Sequence, residues 1–457
     1  MALKFNNEKY EVKPFDCWPK MKELRSKHFW HTWNAQKQGE LFFLGQVYGN
    51  HGFLKGWGHY ANPSIGVHFT RLARTPNAEG LTQVIEAAEA YGLGRDICGA
   101  MKAHIGQIYS GLSQTSPMGE KICHDVAIWG TGCHAIMKTS QLAAEYMKVP
   151  SFFTDLRVDR YNETTKQMEH TENGRKYWMD QMHDSIEWME KKTGRKFDDE
   201  AAIEGLKAEW HTKIGWARCL ELMQSIPTPM SCRTAMSLRL PLVTNSADAE
   251  VADYMDMLVD ELKHRAAKKI SDHAIEKLRL NHENIHPLYR ADILRSPELY
   301  GAVFITGSMT EGFCIAARDK NFHFFVPENP LEHGVVLRTR EDILNNVWHM
   351  HIVNNAHPVG DNFPEISYMR AVDWKVNAVV THNDRPCQMT MTSSLDRDAY
   401  IRARGIPVGN YTSSQGDPRD FDERRILGPG GELTTFYESL GLTRLEDVAP
   451  SRAEVSD

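Results

Sequence analysis

A strand–turn–helix–strand unit occurs twice in this 457-residue chain, each time with a cysteine at the turn, and few folds accommodate that repetition. From His124 a short apolar run, Val126-Ala127-Ile128-Trp129, meets Gly130-Thr131-Gly132-Cys133. A helical stretch from Ala135 to Lys148 and a returning strand, Val149-Pro150-Ser151-Phe152-Phe153, follow. Late in the chain Val376 to Thr381 reads as the strand, Arg385-Pro386-Cys387 as the turn, Met391 to Arg404 as the helix and Ile406-Pro407-Val408 as the return. Crossovers of this kind join parallel strands, so one βαβ plan used twice predicts an open parallel α/β fold. Ligands of such sheets bind beyond the carboxyl ends of the strands, which is where Cys133 and Cys387 fall.

The length exceeds the roughly 150 residues of a typical domain about threefold. We expect two open parallel-sheet domains of Rossmann or flavodoxin type, joined by bridging helices. Residues 1–80, dense in Trp, His and Gly without a clear period, read as an irregular N-terminal extension with short helices. Residues 81–226 form the N-terminal α/β domain with a helical segment, and residues 227–457 the C-terminal α/β domain. Leu81 to Tyr91 has helical spacing, stopped by Gly92 and Gly94, and Cys98 lies just past the break before a second helical stretch. Arg175 to Leu222 carries apolar residues at spacings of three and four, interrupted afterwards by Pro227 and Pro229. Beyond that boundary Glu250 to Lys269 reads as helix, Lys277 to Leu280 and Ala302 to Thr306 as strands, and the polar tail from Pro450 to Asp457 as frayed.

Eight cysteines, dilute and irregularly placed, do not form the disulfide framework of a short secreted chain, and they read as reduced thiols in the cytoplasm. The formal net charge of −7 carries no footprint for nucleic acid or an anionic membrane. Met1 to Lys22 has no apolar stretch of signal-peptide length, and no window approaches a membrane span. A GxxxxGK[ST] loop is missing, as is a GxGxxG after a strand, so ATP hydrolysis and nicotinamide binding are expected on partner chains. Thiols at strand-to-helix turns can ligate metal, because helix N-terminal amides and the dipole favour thiolate. Spacing alone announces nothing, since no CxxC pair is present among these positions and any site must be assembled in three dimensions.

Asp96-Ile97-Cys98 with Lys102 and Ile105-Gly106, then Thr131-Gly132-Cys133 with Met137-Lys138, then Cys387 and Asp417-Pro418-Arg419, carry a resemblance from about Gly94 to about Phe421. In these motifs the chain resembles the benzoyl-CoA reductase and 2-hydroxyacyl-CoA dehydratase family, with the match closest to the B-type subunit of ATP-dependent benzoyl-CoA reductases. The last cysteine stands in Pro386-Cys387-Gln388 where family members often have Ser-Cys-Asn. The resemblance implies a four-iron four-sulfur cluster between the two domains, held by Cys98, Cys133 and Cys387, with one iron open. It also implies partners: a homologous cluster-bearing subunit, ATP-hydrolysing activator subunits, and ferredoxin as electron donor. A CoA thioester would accept single electrons at its carbonyl as a ketyl. In an aryl-CoA (benzoyl-CoA type) reductase of anaerobic aromatic degradation this gives a cyclic dienoyl-CoA; in a 2-hydroxyacyl-CoA dehydratase it leads to loss of a hydroxyl. We expect the oxidoreductase, with the dehydratase subunit as the alternative, and a non-catalytic electron-relay or scaffold subunit as the alternative of a different class. Cys17, Cys123, Cys219, Cys232 and Cys314 read as buried thiols.

Other residues invite competing readings. His134 directly follows a proposed ligand and is a candidate proton donor or a simple capping residue, and His104 carries the same ambiguity. His282-Glu283-Asn284-Ile285-His286 matches the HExxH zinc-hydrolase signature, but Pro287 and the strand-like residues before it argue against a shared helical face. His349, His351 and His357 form a histidine-rich stretch beside Trp348, and the loop from Gly49 to Tyr60 could cover a ligand or pack against a subunit.

Overall fold

The computed structural model describes residues 3–44, 51–61, 72–73, 75–112, 118–120, 124–130, 133–155, 160–162, 167–169, 171–312, 317–350, 364–391 and 394–445. Two four-stranded parallel sheets organise them. The first takes β1 (Leu41–Leu44), β2 (Tyr60–Ala61), β3 (Val126–Gly130) and β4 (Ser151–Thr154) in the order β2-β1-β3-β4. The second takes β5 (Leu278–Glu283), β6 (Ala302–Gly307), β7 (Ala378–Asp384) and β8 (Val408–Ser413) in the order β6-β5-β7-β8. Both expected βαβ units are therefore present, with β3–β4 and β7–β8 as their parallel pairs.

The apolar runs of these strands exist because both faces of each sheet are covered. In the second sheet Leu278, Leu280, Phe304, Ala378 and Val380 join one core, while Val303, Ile305, Val379 and Val408 join another on the opposite face. In the first, Leu41, Phe43, Val126 and Ile128 pack one way and Leu44 and Ala127 the other.

Helix α1 (Trp18–Asn34) opens the chain, and three helices bear on the site: α2 (Glu79–Ala90) and α3 (Gly99–Tyr109) form a hairpin, and α4 (His134–Met147) is the β3–β4 crossover. Ile105 and Ile108 of α3 and Ala143 and Ala144 of α4 lie together on the Ala127 face of the first sheet. The long amphipathic stretch divides at Gly194, whose positive φ caps α5 (Glu172–Thr193) before Asp198 caps α6 (Asp199–Leu222) through its side chain. Helix α6 bridges cores: Ala202, Leu206, Trp210 and Ile214 pack beside the first sheet, and Trp216, Ala217, Cys219 and Leu220 beside the second. Helix α7 (Ala249–Lys268) lies along α6. Ile343, Leu344 and Val347 of α8 (Arg340–Trp348) join the core of the first sheet, although their sequence lies among the strands of the second. After β7 come a single helical turn, α9 (Gln388–Met391), and α10 (Ser394–Ala403).

The N-terminal region differs from its irregular reading. Residues 18–34 make a 17-residue helix, and Leu41–Leu44 pairs with β3 as an interior strand of the first sheet. A four-residue apolar run is too short for period to identify. No helix among the described residues is long and apolar enough to cross a membrane.

Candidate functional site

The three predicted cysteines occupy one structural role. Each stands immediately before a helix and gives its carbonyl to the amide four residues on: Cys98 to Lys102 at 2.9 Å, Cys133 to Met137 at 3.0 Å and Cys387 to Met391 at 3.0 Å. Cys133 follows the carboxyl end of β3 and Cys387 that of β7, and Cys98 begins the helix packed beside α4. All three thiols are thus presented at helix N-termini, whose first amides have no partner within the helix, and amides of the following turn pull the Cys98 and Cys387 thiols down against burial.

The fold brings them together from distant parts of the chain. Cys98 packs with Ala100, Met101 and Ile136, and Cys133 lies against the same cluster. Cys387 joins them through Asp384: the Cys387 N–H donates to the Asp384 carbonyl at 2.8 Å, and Asp384 Oδ1 accepts at 3.0 Å from the backbone of Gln415, the residue whose side chain reaches Cys98. Burial pushes the Cys98 thiol up to about 12, with the Asp384 carboxylate and Cys387 adding to it. Burial likewise raises Cys387, against the Thr390 hydroxyl that lowers it. Cys133 and Cys387 are only partly buried, so the group opens toward the surface on their side. Among the described residues no three His, Cys, Asp or Glu side chains close tightly enough to hold a single metal ion.

A loop after β8 completes the surroundings. The Gln415 side-chain amide donates to Cys98 Sγ at 3.1 Å, and the Gln415 backbone amide donates to Asp384 Oδ1 at 3.0 Å. Asp384, the last residue of β7, is buried, and that burial pushes its carboxyl up to about 7 against the pull of the Gln415 amide. Its Oδ2 has no hydrogen-bond partner among the described residues. Leu288 N donates to Gln415 O at 2.9 Å, and the Tyr289 hydroxyl donates to the Ser414 and Asp417 carbonyls, which pins the loop. The loop meets α3 backbone to backbone: a Cβ on Gly99 would lie 2.7 Å from Asp417 N, and one on Gly416 would strike Ala100. Gln415 and Asp384 carried no sequence signal, whereas Lys102 and Asp417-Pro418-Arg419 belong to the resemblance and do meet here. Lys102 Nζ is buried and donates to Glu89 at 2.7 Å, with Asp417 at 3.5 Å, and Arg419 bridges Asp417 and Glu89.

The remaining candidates separate from this centre. His134 is exposed on the first turn of α4, and His104 is half-buried on α3. Cys17, Cys219 and Cys232 are buried thiols elsewhere. Cys123, Cys314, His351, His357, the Thr131-Gly132 pair, Gly49-Asn50 and the tail from Pro450 lie outside the described residues. The HExxH residues share no helix. His282 and Glu283 end β5, Asn284 takes a positive φ, Glu283 is paired with Arg370 at 2.7 Å, and His282 is hydrogen-bonded to Tyr411 at 2.9 Å. With its carboxylate held by arginine, Glu283 is not placed as a zinc enzyme's general base.

Comparison with known proteins follows the same stretch of chain. The family model described as 2-hydroxyglutaryl-CoA dehydratase, D-component, matches residues 77–426. The chain belongs to this dehydratase family. It is 23% identical over 372 residues to the (R)-phenyllactyl-CoA dehydratase alpha subunit of Clostridium sporogenes, covering 78% of this chain and 80% of that protein. To subunit alpha of the (R)-2-hydroxyglutaryl-CoA dehydratase of Acidaminococcus fermentans it is 22% identical over 310 residues, or 65% of this chain and 57% of the relative. All three cysteines of the site and the loop that carries Gln415 fall inside the dehydratase-family match.

Proposed function

We propose that this chain is the alpha-type iron–sulfur subunit of a 2-hydroxyacyl-CoA dehydratase, with Cys98, Cys133 and Cys387 as the protein ligands of a four-iron four-sulfur cluster. The convergence of three helix-capping cysteines, within a chain related to dehydratase alpha subunits, is the observation that carries this reading. The aryl-CoA reductase expected from the sequence is less well supported, because both relatives are named as dehydratases of hydroxyacyl thioesters, and dehydration makes the enzyme a lyase.

The residues present suit such a group. Four irons spread their ligands over separate corners, so three thiols need not close on one point as they would for a single ion. When bound, the cluster supplies single electrons at low potential and one iron left free of protein thiolate. The chain's own residues do the rest. Backbone amides of the following turn favour the thiolates of Cys98 and Cys387, burial of Cys98 keeps water from one side, and the partly exposed Cys133 and Cys387 leave access on the other. In this reading residues 81–226 supply Cys98 and Cys133 and residues 227–457 supply Cys387, at the meeting of two α/β domains. A homologous subunit, an ATP-hydrolysing activator fed by ferredoxin and a 2-hydroxyacyl-CoA substrate complete the system in a reducing cytoplasm.

The test is anaerobic iron and sulfide analysis of the wild type and of Cys98→Ala, Cys133→Ala and Cys387→Ala. Stoichiometric iron and sulfide in the wild type and their loss or sharp reduction in each variant are expected. If all three variants keep an intact cluster, the ligand assignment is wrong. With partner subunits and activator added, elimination of water from a 2-hydroxyacyl-CoA supports the dehydratase, while dearomatisation of benzoyl-CoA would restore the reductase.

A further inference from the structure

Gln415 makes one of the longest-range side-chain contacts in the molecule, reaching Cys98 across 317 positions of sequence. Both partners are buried, and the amide nitrogen lies 3.1 Å from the sulfur. A thiolate can only accept, so the amide turns its N–H to it, as the geometry has it. The backbone of the same residue is fixed independently. Its N–H is given to Asp384 Oδ1 and its carbonyl accepts from Leu288 N, so the side chain is aimed from both ends of the peptide unit. The Gly99–Gly416 approach then sets how near the loop comes to the thiol. The side-chain donor beside Cys387 is the Thr390 hydroxyl rather than an amide, and Cys133 has no side-chain donor on sulfur among the described residues, so the three thiols are electronically unequal.

We propose that Gln415 is a positioning residue for the Cys98 thiolate and that its N–H···S bond raises the reduction potential of the group those thiolates hold. The inference rests on the cluster reading above. A hydrogen bond to a ligand sulfur draws off negative charge, and the reduced state, which carries one more electron, gains more from this than the oxidised state. Asp384 works in the opposite sense wherever it is ionised, as a buried negative charge beside Cys98 and Cys387. Gln415 therefore touches both the ligand and the carboxyl that opposes it, and its side chain and its backbone amide are separable by mutation.

Gln415→Leu removes the donor at similar size and leaves the backbone amide in place. Gln415→Glu is isosteric and presents an acceptor to the sulfur. Wild type and both variants are reconstituted anaerobically, assayed for iron and sulfide, and titrated redox-potentiometrically with electron paramagnetic resonance as the readout. Wild-type iron content and a midpoint potential below that of the wild type are expected in both variants, with the larger shift in Gln415→Glu. An unchanged midpoint in an iron-replete variant overturns the proposal, as does failure of both folded variants to load iron, which would make Gln415 an assembly residue. If only one variant loads, its midpoint decides. A wild type that takes up no iron under the same conditions refutes the cluster reading itself, a different outcome from a silent substitution at Gln415.

Discussion

His282 shows how much a motif depends on what its residues touch. It ends β5, is buried, and donates to or accepts from the Tyr411 hydroxyl at 2.9 Å, while His382 stacks on the same tyrosine ring and reaches Ser413 at 2.6 Å. Burial lowers His282 to about 4, below the 6.5 of an ordinary imidazole, so it is neutral in the folded protein. A depressed folded value means that the neutral ring stabilises above about pH 6.5, and that this contribution is lost as the pH falls toward 4 and the unfolded chain takes up a proton. At pH 5 the loss from this one residue comes to about 2 kcal/mol. The stability difference between wild type and His282→Asn, measured by denaturant titration, should therefore shrink by about 2 kcal/mol between pH 7 and pH 5. A constant difference would mean that the ring is not held neutral. Gln415 stands at the other extreme of legibility: nothing near it in sequence distinguishes it, because its partner, Cys98, lies 317 positions away in the chain.

At the scale of elements, the two βαβ units were readable because their information is local. An apolar run, a turn with a thiol and an amphipathic stretch recur within a few dozen residues, and the observed bounds differ from the predicted ones by a few positions, as at β7 and β8. The strand Leu41–Leu44 was not readable, since its four residues gain meaning only from pairing with β3. Nor was the seat of α8, which leaves its neighbours in sequence to pack on the first sheet. The contact of α3 with the β8 loop tests how far the site depends on element packing. Gly416→Ala places a methyl against the Ala100 backbone, where no flexible side chain can yield. Overpacking of this kind costs about 1–3 kcal/mol, and relief requires the loop or the start of α3 to move. Lower thermal stability is expected, together with weakened iron uptake, because Cys98 is the residue before Gly99. Full iron content in Gly416→Ala would show that the approach is not needed to hold Cys98 in place.

Across the whole molecule, the same contact is reinforced by charge. Lys102 and Asp417 are each about 1% exposed, and with Glu89 and Arg419 they link the α2–α3 hairpin to the loop after β8. Asp420 extends the link to Arg95 and Arg385. Resemblance picked out Lys102 and Asp417-Pro418-Arg419 as motifs, and the fold shows the physical reason for that: they join the segment bearing Cys98 to the sheet bearing Cys387. Buried pairs of this kind contribute little net stability when intact, but removing one partner strands the other charge, at about 3–5 kcal/mol. In Lys102→Met, Asp417 and Glu89 are left with Arg419 alone, which lies nearer solvent and screens them only in part. The expected result is a loss toward the lower end of that range in denaturant unfolding, and a smaller further loss when Asp417→Asn is added, since the stranded carboxylate is then gone. Hydrogen exchange should locate the change, with faster exchange in residues 79–109 and little change in β5–β8. Equal acceleration in both sheets would mean that Lys102 supports the molecule generally rather than the joint at which the three cysteines meet.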